Sequence, residues 1–162
     1  AQITPGITTA GRALDLACGL GHNSTWLAQY GWDVDGVDIS TEGLSQAEHL
    51  AAETDTVINW IEADLDDWQP KPDSYDLAIV FRFLDRVTVP LIVNDGLRPG
   101  GWLIYETFAA GELDRANSHI RNSAFTLSTG ELRLLFTDFE ILDFREETLE
   151  NRSVQRLLAR RR

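Results

Sequence analysis

The chain has 162 residues, of which 43% are hydrophobic and 25% are charged, a composition typical of one soluble globular domain. Acidic residues outnumber basic ones by 26 to 14, and the formal charge of −12 argues against an extended nucleic-acid backbone as the main partner. No apolar run approaches the roughly 20 residues of a membrane helix, no basic-then-apolar signal segment opens the chain, and the lone Cys18 excludes a disulfide framework and a cysteine zinc cluster.

Two hydrophobic periods alternate along the chain. Short apolar runs predict seven strands, over Ala13–Ala17, Val34–Ile39, Val57–Ile61, Tyr75–Phe81, Trp102–Phe108, Phe139–Phe144 and Val154–Ala159. Helical patterns lie between the first five strands, over His22–Tyr30, Ser40–Glu53 and Leu84–Leu97. Strands that alternate with helices form a parallel sheet with helices on both faces, so we expect an α/β fold.

Residues typical of helix ends accompany these patterns. Gly31 is expected to end the first helix, and Ser40 to cap the second. In the third, Pro90 either kinks the helix or begins it anew, and Pro99-Gly100-Gly101 is expected to end it. The segment Ser128-Thr129-Gly130-Glu131 is typical of a capping box, which predicts one more short helix.

The last two predicted strands break the alternation. Only Glu146–Ser153 separates them, which is too short for a crossover helix, so we expect an antiparallel hairpin. The stretch Ala109–Ser123 has no clear period, and long loops of this kind are often lids over functional sites. We expect a single cytoplasmic domain over residues 1–162, with no membrane segment and no metal site.

The first strand leads into a glycine-rich turn that a helix follows at once, in Arg12–Gly21. Glycines allow a sharp bend and the close approach of a ligand, although a tight turn without any ligand has the same pattern. Asp38 ends the second strand about 20 residues further on, where an acid can accept hydrogen bonds from ribose hydroxyls or cap a helix. Asp64 follows the third strand and either contacts an adenine amino group or caps the next turn.

Five short motifs follow one another: Asp15-x-x-Cys18-Gly19-x-Gly21, Asp38, Ala63-Asp64-Leu65, Tyr75-Asp76-Leu77 and Arg98-Pro99-Gly100-Gly101. Their order and spacing resemble the class I S-adenosylmethionine-dependent methyltransferases, over Arg12 to Arg161. Within that class, Gly21-His22-Asn23-Ser24-x-x-Leu27-Ala28 and Phe125-x-x-x-x-Gly130-Glu131-Leu132 are similar to the tellurite-resistance-type methyltransferases. The resemblance implies a Rossmann-like seven-stranded sheet, mostly parallel with an antiparallel C-terminal hairpin, and methyl transfer from S-adenosylmethionine that leaves S-adenosylhomocysteine.

The resemblance also implies roles for single residues. The amino-acid part of the cofactor would be surrounded by Asp15, Ala17, Gly19 and Gly21. Asp38 would hold the ribose, Ile39 would pack on the adenine, and the adenine edge would meet Asp64 and Leu65. Phe81 would lie near the methyl donor.

The chain departs from the resembled proteins in two places. They have a helical segment before the first strand that covers the cofactor, whereas eleven residues precede Arg12, so we expect this cover to be short or missing. Tellurite-type relatives carry His and Arg residues near the final hairpin. Only Arg145 and Arg152 stand there, which argues against tellurite as the substrate.

The methyl acceptor is expected beyond the fourth and fifth strands, and we expect a small molecule with a soft nucleophile or an oxyanion. Candidate lining residues are Phe81, Arg82, Phe83, Asp85, Arg86, Glu106, Phe108 and Arg121. Arg82 can clamp an anion, or it forms a surface ion pair with Asp85 or Glu106. His22 and Glu106 are the candidate general bases, and His22 is otherwise a residue of the helix start beside the cofactor.

Two other classes of function share some of these features. A NAD-dependent oxidoreductase also has a Gly-x-Gly turn and an acid at the place of Asp38. Position 24, however, is serine where a third glycine is usual, and the chain has no room for a separate catalytic domain. The third possibility is a catalytically silent domain that binds the cofactor as a sensor or scaffold.

Overall fold

A single sheet dominates the computed structural model, which describes Ile7 and residues 9–162. Its strands are β1 (Arg12–Leu16), β2 (Asp33–Asp38), β3 (Asn59–Glu62), β4 (Tyr75–Phe81), β5 (Leu97–Phe108), β6 (Phe139–Thr148) and β7 (Ser153–Arg161). The α-helices are α1 (His22–Gln29), α2 (Thr41–Glu53), α3 (Thr88–Gly96) and α4 (Glu131–Leu134). The strand order is β3-β2-β1-β4-β5-β7-β6.

The C-terminal strands carry the predicted change of direction. β1 to β5 pair in parallel, and β7 runs antiparallel to both β5 and β6. The expected α/β sheet, mostly parallel with an antiparallel C-terminal hairpin, is therefore confirmed. The segment before β1, where a short or missing cofactor cover was expected, lies mostly outside the described residues.

Helices cover both faces of the sheet, as two neighbouring residues of β1 show by packing in different apolar clusters. Leu14 packs in a cluster that includes Val89 and Ile92 of α3. Ala13 packs in a second cluster with Leu27 of α1. This alternation is the period of two expected of a strand buried on both sides. Within the described residues, no helix is long and apolar enough to cross a membrane.

The predicted helix over Leu84–Leu97 is wrong at its start and end. The Asp85 carboxylate accepts hydrogen bonds from the backbone N–H groups of Val87 and Thr88, at 2.8 and 2.7 Å, and α3 begins only there. Pro90 then lies in the first turn of α3, where its missing N–H is tolerated, so the helix begins anew at Thr88 just before the proline. The segment Pro99-Gly100-Gly101 does not end a helix but belongs to β5.

The predicted capping box is only half formed. The Glu131 carboxylate accepts from the backbone N–H of Ser128 at 2.8 Å, as the motif requires. Gly130 precedes the helix with a φ of 68°, and α4 is four residues long. The loop predicted over 109–123 contains a 3-10 helix at Ala110–Asp114, and a second one follows at Ser123–Phe125.

A buried hydrogen-bond network joins four strands. Asp35 of β2 is 5% exposed. Its carboxylate accepts from the Tyr75 hydroxyl at 2.6 Å, from Arg12 Nη2 at 2.9 Å and from Asn59 Nδ2 at 3.0 Å. Because each donor comes from a different strand, the buried charge ties β1, β3 and β4 to β2.

Candidate functional site

The turn after β1 has left-handed backbone at three positions. Ala17, Gly19 and Gly21 have φ values of 54°, 55° and 75°. At Gly21 a side chain is also excluded by space, since a Cβ would lie 2.6 Å from the Trp60 ring and 2.7 Å from the Ala47 side chain. The second glycine of the motif is therefore explained by packing of the turn as well as by its bend.

Asp38 holds this turn against the end of β2. Its carboxylate accepts from the Gly19 N–H at 2.8 Å through one oxygen and from the Ser40 N–H at 2.9 Å through the other. Ser40 supplies the cap of α2 itself, since its hydroxyl accepts from the Gly43 N–H at 3.0 Å. An ionised carboxylate offers about four lone-pair sites, so about two on Asp38 are free of these bonds.

A cleft of about 340 Å³ opens at the carboxyl ends of β1 to β4. Its lining residues are Ala17, Asp38, Ile39, Ala63, Asp64, Leu65, Asp66, Phe83 and Asp85. Parallel sheets bind ligands at this edge, and the volume lies within the usual range of ligand pockets. Ile39 is 65% exposed here, which is unusual for an isoleucine and leaves its side chain free for a ligand.

The cleft brings together five of the nine residues that the resemblance assigned to the cofactor. These are Ala17, Asp38, Ile39, Asp64 and Leu65. The alternative interpretation, in which Asp64 caps the turn, also has support, because its carboxylate accepts from the Asp66 N–H at 3.0 Å. Their contacts with a cofactor stay predictions.

The other four residues are absent from the lining of the cleft. Gly19 and Gly21 form the turn beside it, and Phe81 packs in the apolar cluster around α1, while Phe83 lines the cleft instead. Asp15 is 1% exposed and accepts a hydrogen bond from the Ser24 hydroxyl at 2.6 Å. Burial raises the pKa of Asp15 to about 7, against the lowering effect of that bond.

A second cavity, of about 300 Å³, lies beside the loop after β4. It is lined by Arg82, Phe108, Glu112, Asn117, Ser118, His119, Ile120, Asn151 and Arg152. Arg82 is exposed, and in the described part of the chain it forms no ion pair with Asp85, Glu106 or any other acid. Its backbone N–H donates to the Glu106 carbonyl at 2.8 Å, which fixes the loop to β5.

The two candidate bases lie in different settings. Glu106 is 7% exposed, and its carboxylate contacts Arg156 Nε at 2.5 Å and Arg152 Nε at 3.3 Å. His22 is the exposed first residue of α1 and lines neither cavity. A part in catalysis stays a prediction for both, and the ion pairs give Glu106 a structural role.

Sequence reasoning missed most of the residues that line the second cavity. Asn117, Ser118, His119 and Ile120 fall inside the unpatterned loop over 109–123, and the only sequence signal for them was the length of that loop. Arg86, expected near the acceptor, instead binds Glu131 of α4 and the carbonyls of Ala124 and Thr126.

Comparison with known proteins identifies the family. The methyltransferase domain family matches residues 13–101, which is more than half of the chain. The chain belongs to this family. The match runs from β1 to the first part of β5 and includes the glycine-rich turn, Asp38 and Asp64.

Curated relatives of this methyltransferase domain are longer than the chain. A ubiquinone biosynthesis O-methyltransferase from Paraburkholderia phymatum is 33% identical over 104 residues, which are 61% of this chain and 45% of that protein. Hemagglutinin 1 from Eikenella corrodens is 32% identical over 143 residues, which are 83% of this chain and 46% of that protein. The chain thus spans less than half the length of either relative.

Solved structures share the fold of this methyltransferase domain. A S-adenosylmethionine-dependent methyltransferase from Methanosarcina mazei has a TM-score of 0.78 and 23% identity, over 96% of this chain and 94% of that one. TehB from Haemophilus influenzae has a TM-score of 0.75 and 24% identity, over 96% of this chain and 59% of that one. The resemblance predicted from the sequence is therefore confirmed for the family and the fold.

Proposed function

We propose that this methyltransferase domain binds S-adenosylmethionine in the 340 Å³ cleft and catalyses transfer of its methyl group to a small molecule. The proposal rests on family membership and on the position of the cleft at the carboxyl ends of the parallel strands. When bound, this cofactor supplies a methyl group that its positively charged sulfur has already activated. S-adenosylhomocysteine is the expected product.

The charge of the cleft is the single observation that carries the choice of cofactor. Four carboxylates line it, those of Asp38, Asp64, Asp66 and Asp85, and no Lys or Arg lines it in the part of the chain that the structure describes. Such a surface attracts a ligand with a sulfonium and an ammonium group. It repels the diphosphate of a nicotinamide dinucleotide, which such cofactors usually place on a helix N-terminus.

The residues of the cleft suit the parts of the proposed ligand. The free lone pairs of Asp38 accept hydrogen bonds from ribose hydroxyls, while the Gly19 and Ser40 N–H groups hold the carboxylate in place. Ile39 offers an exposed apolar surface to a flat base, and Asp64 offers an acceptor at the base's edge. Leu65 and Phe83 exclude water from the same space.

The sheet order also supports a methyltransferase over a NAD-dependent enzyme. The dinucleotide-binding fold has the order 3-2-1-4-5-6 with parallel strands. Here the antiparallel β7 lies between β5 and β6. An antiparallel C-terminal hairpin of this kind is implied by the resemblance to the class I methyltransferases.

The chemistry asked of the protein is mainly alignment. The nucleophile of the acceptor, the methyl carbon and the leaving sulfur must lie in line, and positioning of this kind supplies ~7–11 kcal/mol of a reaction barrier. A base is needed only if the nucleophile is protonated when it binds. The curated relative named for ubiquinone biosynthesis is an O-methyltransferase, which supports a small organic acceptor.

Thermal unfolding with added ligands tests the proposal. We expect S-adenosylmethionine and S-adenosylhomocysteine to raise the unfolding temperature, and NAD to leave it unchanged, since only a ligand of the folded state stabilises it. Stabilisation by NAD alone would contradict the proposal. Methyl turnover on a panel of hydroxyls, thiols and oxyanions then separates an enzyme from a silent cofactor-binding domain, which would bind the cofactor and methylate nothing.

A further inference from the structure

The two cavities have one loop in common as a boundary. Arg82 lines the 300 Å³ cavity and Phe83 lines the 340 Å³ cleft. Consecutive Cα atoms lie about 3.8 Å apart, so the linings of the two spaces meet at one point of the chain. The partner of a group transfer has to bind beside the cofactor, and this cavity adjoins the cleft at the loop after β4.

The charges around the second cavity leave one cation without an acid. Glu106 pairs with Arg152, at 3.3 Å between Oε1 and Nε. Glu112 is 4% exposed, accepts from the Ser153 N–H at 2.7 Å and lies 3.6 Å from Arg115. Of the two arginines among the described lining residues, Arg152 has Glu106 as its carboxylate partner and Arg82 has none, in a protein whose formal charge is −12.

The size and lining of the cavity indicate an organic ligand. A volume of about 300 Å³ lies at the lower end of the usual range of small-molecule pockets, so it has room for more than a bare inorganic oxyanion. Phe108 and Ile120 contribute apolar surface, and Asn117, His119 and Asn151 contribute polar groups. One unmatched guanidinium suits a single negative charge, and its planar fork matches a carboxylate in two-point contact.

We propose that this cavity binds a small organic carboxylate, with its acid group held by Arg82, and that this molecule is the methyl acceptor. The inference rests on the proposed function only in naming the ligand as the acceptor. The carboxylate site itself depends on the cavity and its charges alone.

Calorimetric titration with benzoate tests the site without any turnover. We expect saturable binding to the unmodified chain, and weaker binding of benzamide, which has the same shape and no charge. Arg82→Ala should weaken benzoate binding about tenfold or more, the effect of losing one charged hydrogen bond. Arg82→Lys should restore only part of the affinity, because an ammonium makes no planar two-point contact.

Arg145→Ala is the matched control, because it also removes one arginine. That residue lies on β6 and pairs with Asp143 at 2.9 Å, and it does not line the cavity. Its benzoate affinity should stay within about twofold of the unmodified chain. Four results would each overturn the carboxylate site. Two concern the unmodified chain alone: equal binding of benzoate and benzamide, or no saturation with benzoate in the millimolar range. The others are tighter binding of inorganic phosphate than of benzoate, and unchanged benzoate affinity in Arg82→Ala.

S-adenosylhomocysteine is titrated into the same variants as a separate readout. Unchanged affinity in Arg82→Ala, together with lost benzoate binding, is the expected pair of results. If S-adenosylhomocysteine fails to bind even the unmodified chain while benzoate binds through Arg82, the proposed function fails and the carboxylate site stands. If the cofactor product binds and benzoate does not, the carboxylate site fails alone.

Discussion

Arg82 and Phe83 are adjacent in the chain, yet they line two different cavities. Arg82 has a φ of 57°, in the left-handed region that an arginine rarely adopts. Strained residues of this kind cluster at active sites, ligand clamps and switch regions. The loop after β4 therefore connects the proposed cofactor cleft to the proposed acceptor cavity through one strained residue.

The strain at Arg82 predicts that a glycine variant is more stable than an alanine variant, which is the reverse of the usual order. Left-handed backbone costs a residue with a Cβ about 1–2 kcal/mol, whereas glycine adopts it freely and loses only about 0.5–1 kcal/mol through its flexible unfolded state. We expect Arg82→Gly to have an unfolding free energy about 0.5–1 kcal/mol above that of Arg82→Ala. Urea denaturation of both variants measures this difference, and a less stable glycine variant would show that the position is not strained.

The sequence predicted the sheet, and it missed most of the residues that line the second cavity, for physical reasons. Strand periodicity and the short gap before β7 fix the sheet, because both are local in the chain. The turn after β1 and Asp38 were found because their spacing is set by one strand-turn-helix unit. The second cavity assembles side chains from β5, the loop over 109–123 and the β6–β7 turn, which no local pattern connects. The predicted start of helix α3 was too early in the chain. The hydrogen bonds by which Asp85 caps this helix leave no trace in the hydrophobic pattern, so the pattern could not locate the start.

Asp15 is expected to make the stability of the chain depend on pH. Its pKa rises from an ordinary 3.8 to about 7 on burial, so the folded state holds a proton that the unfolded state has released. The contribution of the bound proton to the free energy of unfolding is complete below pH 4, and it is lost as the pH rises through 7. We expect Asp15→Asn, which keeps an acceptor for Ser24, to gain about 2–4 kcal/mol over the unmodified chain between pH 4 and pH 8.

Chemical denaturation at several pH values provides the comparison for Asp15. The exposed Asp55→Asn variant is the control, because it removes an acid from the surface and leaves the buried carboxyl in place. Its difference from the unmodified chain should stay nearly constant with pH. A constant difference for Asp15→Asn as well would mean that Asp15 titrates normally in the folded protein.

The buried Asp35 network predicts a large loss of stability on truncation. Asp35→Ala leaves Arg12, Tyr75 and Asn59 without their common acceptor in the sheet. We expect a loss of about 3–5 kcal/mol in unfolding free energy, the usual cost of breaking a buried charged contact. Asp33→Ala removes an exposed neighbour that also lies near Arg12, at 3.4 Å, and should cost less than about 1 kcal/mol. Comparable losses in both variants would contradict the assigned network.

Substitutions of Glu106 test whether this residue stabilises the fold or acts as a general base. Its carboxylate joins Arg152 and Arg156, so Glu106→Ala should lower the unfolding free energy by about 3 kcal/mol. The double variant with Arg156→Ala should lose clearly less than the two single losses together, because the pair is removed at once. Additive losses, with turnover abolished in Glu106→Gln and no change in its stability, would instead identify this residue as a base.

The binding of S-adenosylhomocysteine to the cleft tests the central claim most directly. Calorimetric titration should give one site on the unmodified chain, and Asp38→Ala should weaken it by about 1–3 kcal/mol, the cost of leaving buried hydroxyl donors without an acceptor. Glu48→Ala, on the exposed face of α2, removes the same charge away from the cleft and should bind as the unmodified chain does. The account predicts a loss of affinity confined to Asp38→Ala. Equal affinities in all three proteins, or no binding to any of them, would contradict it.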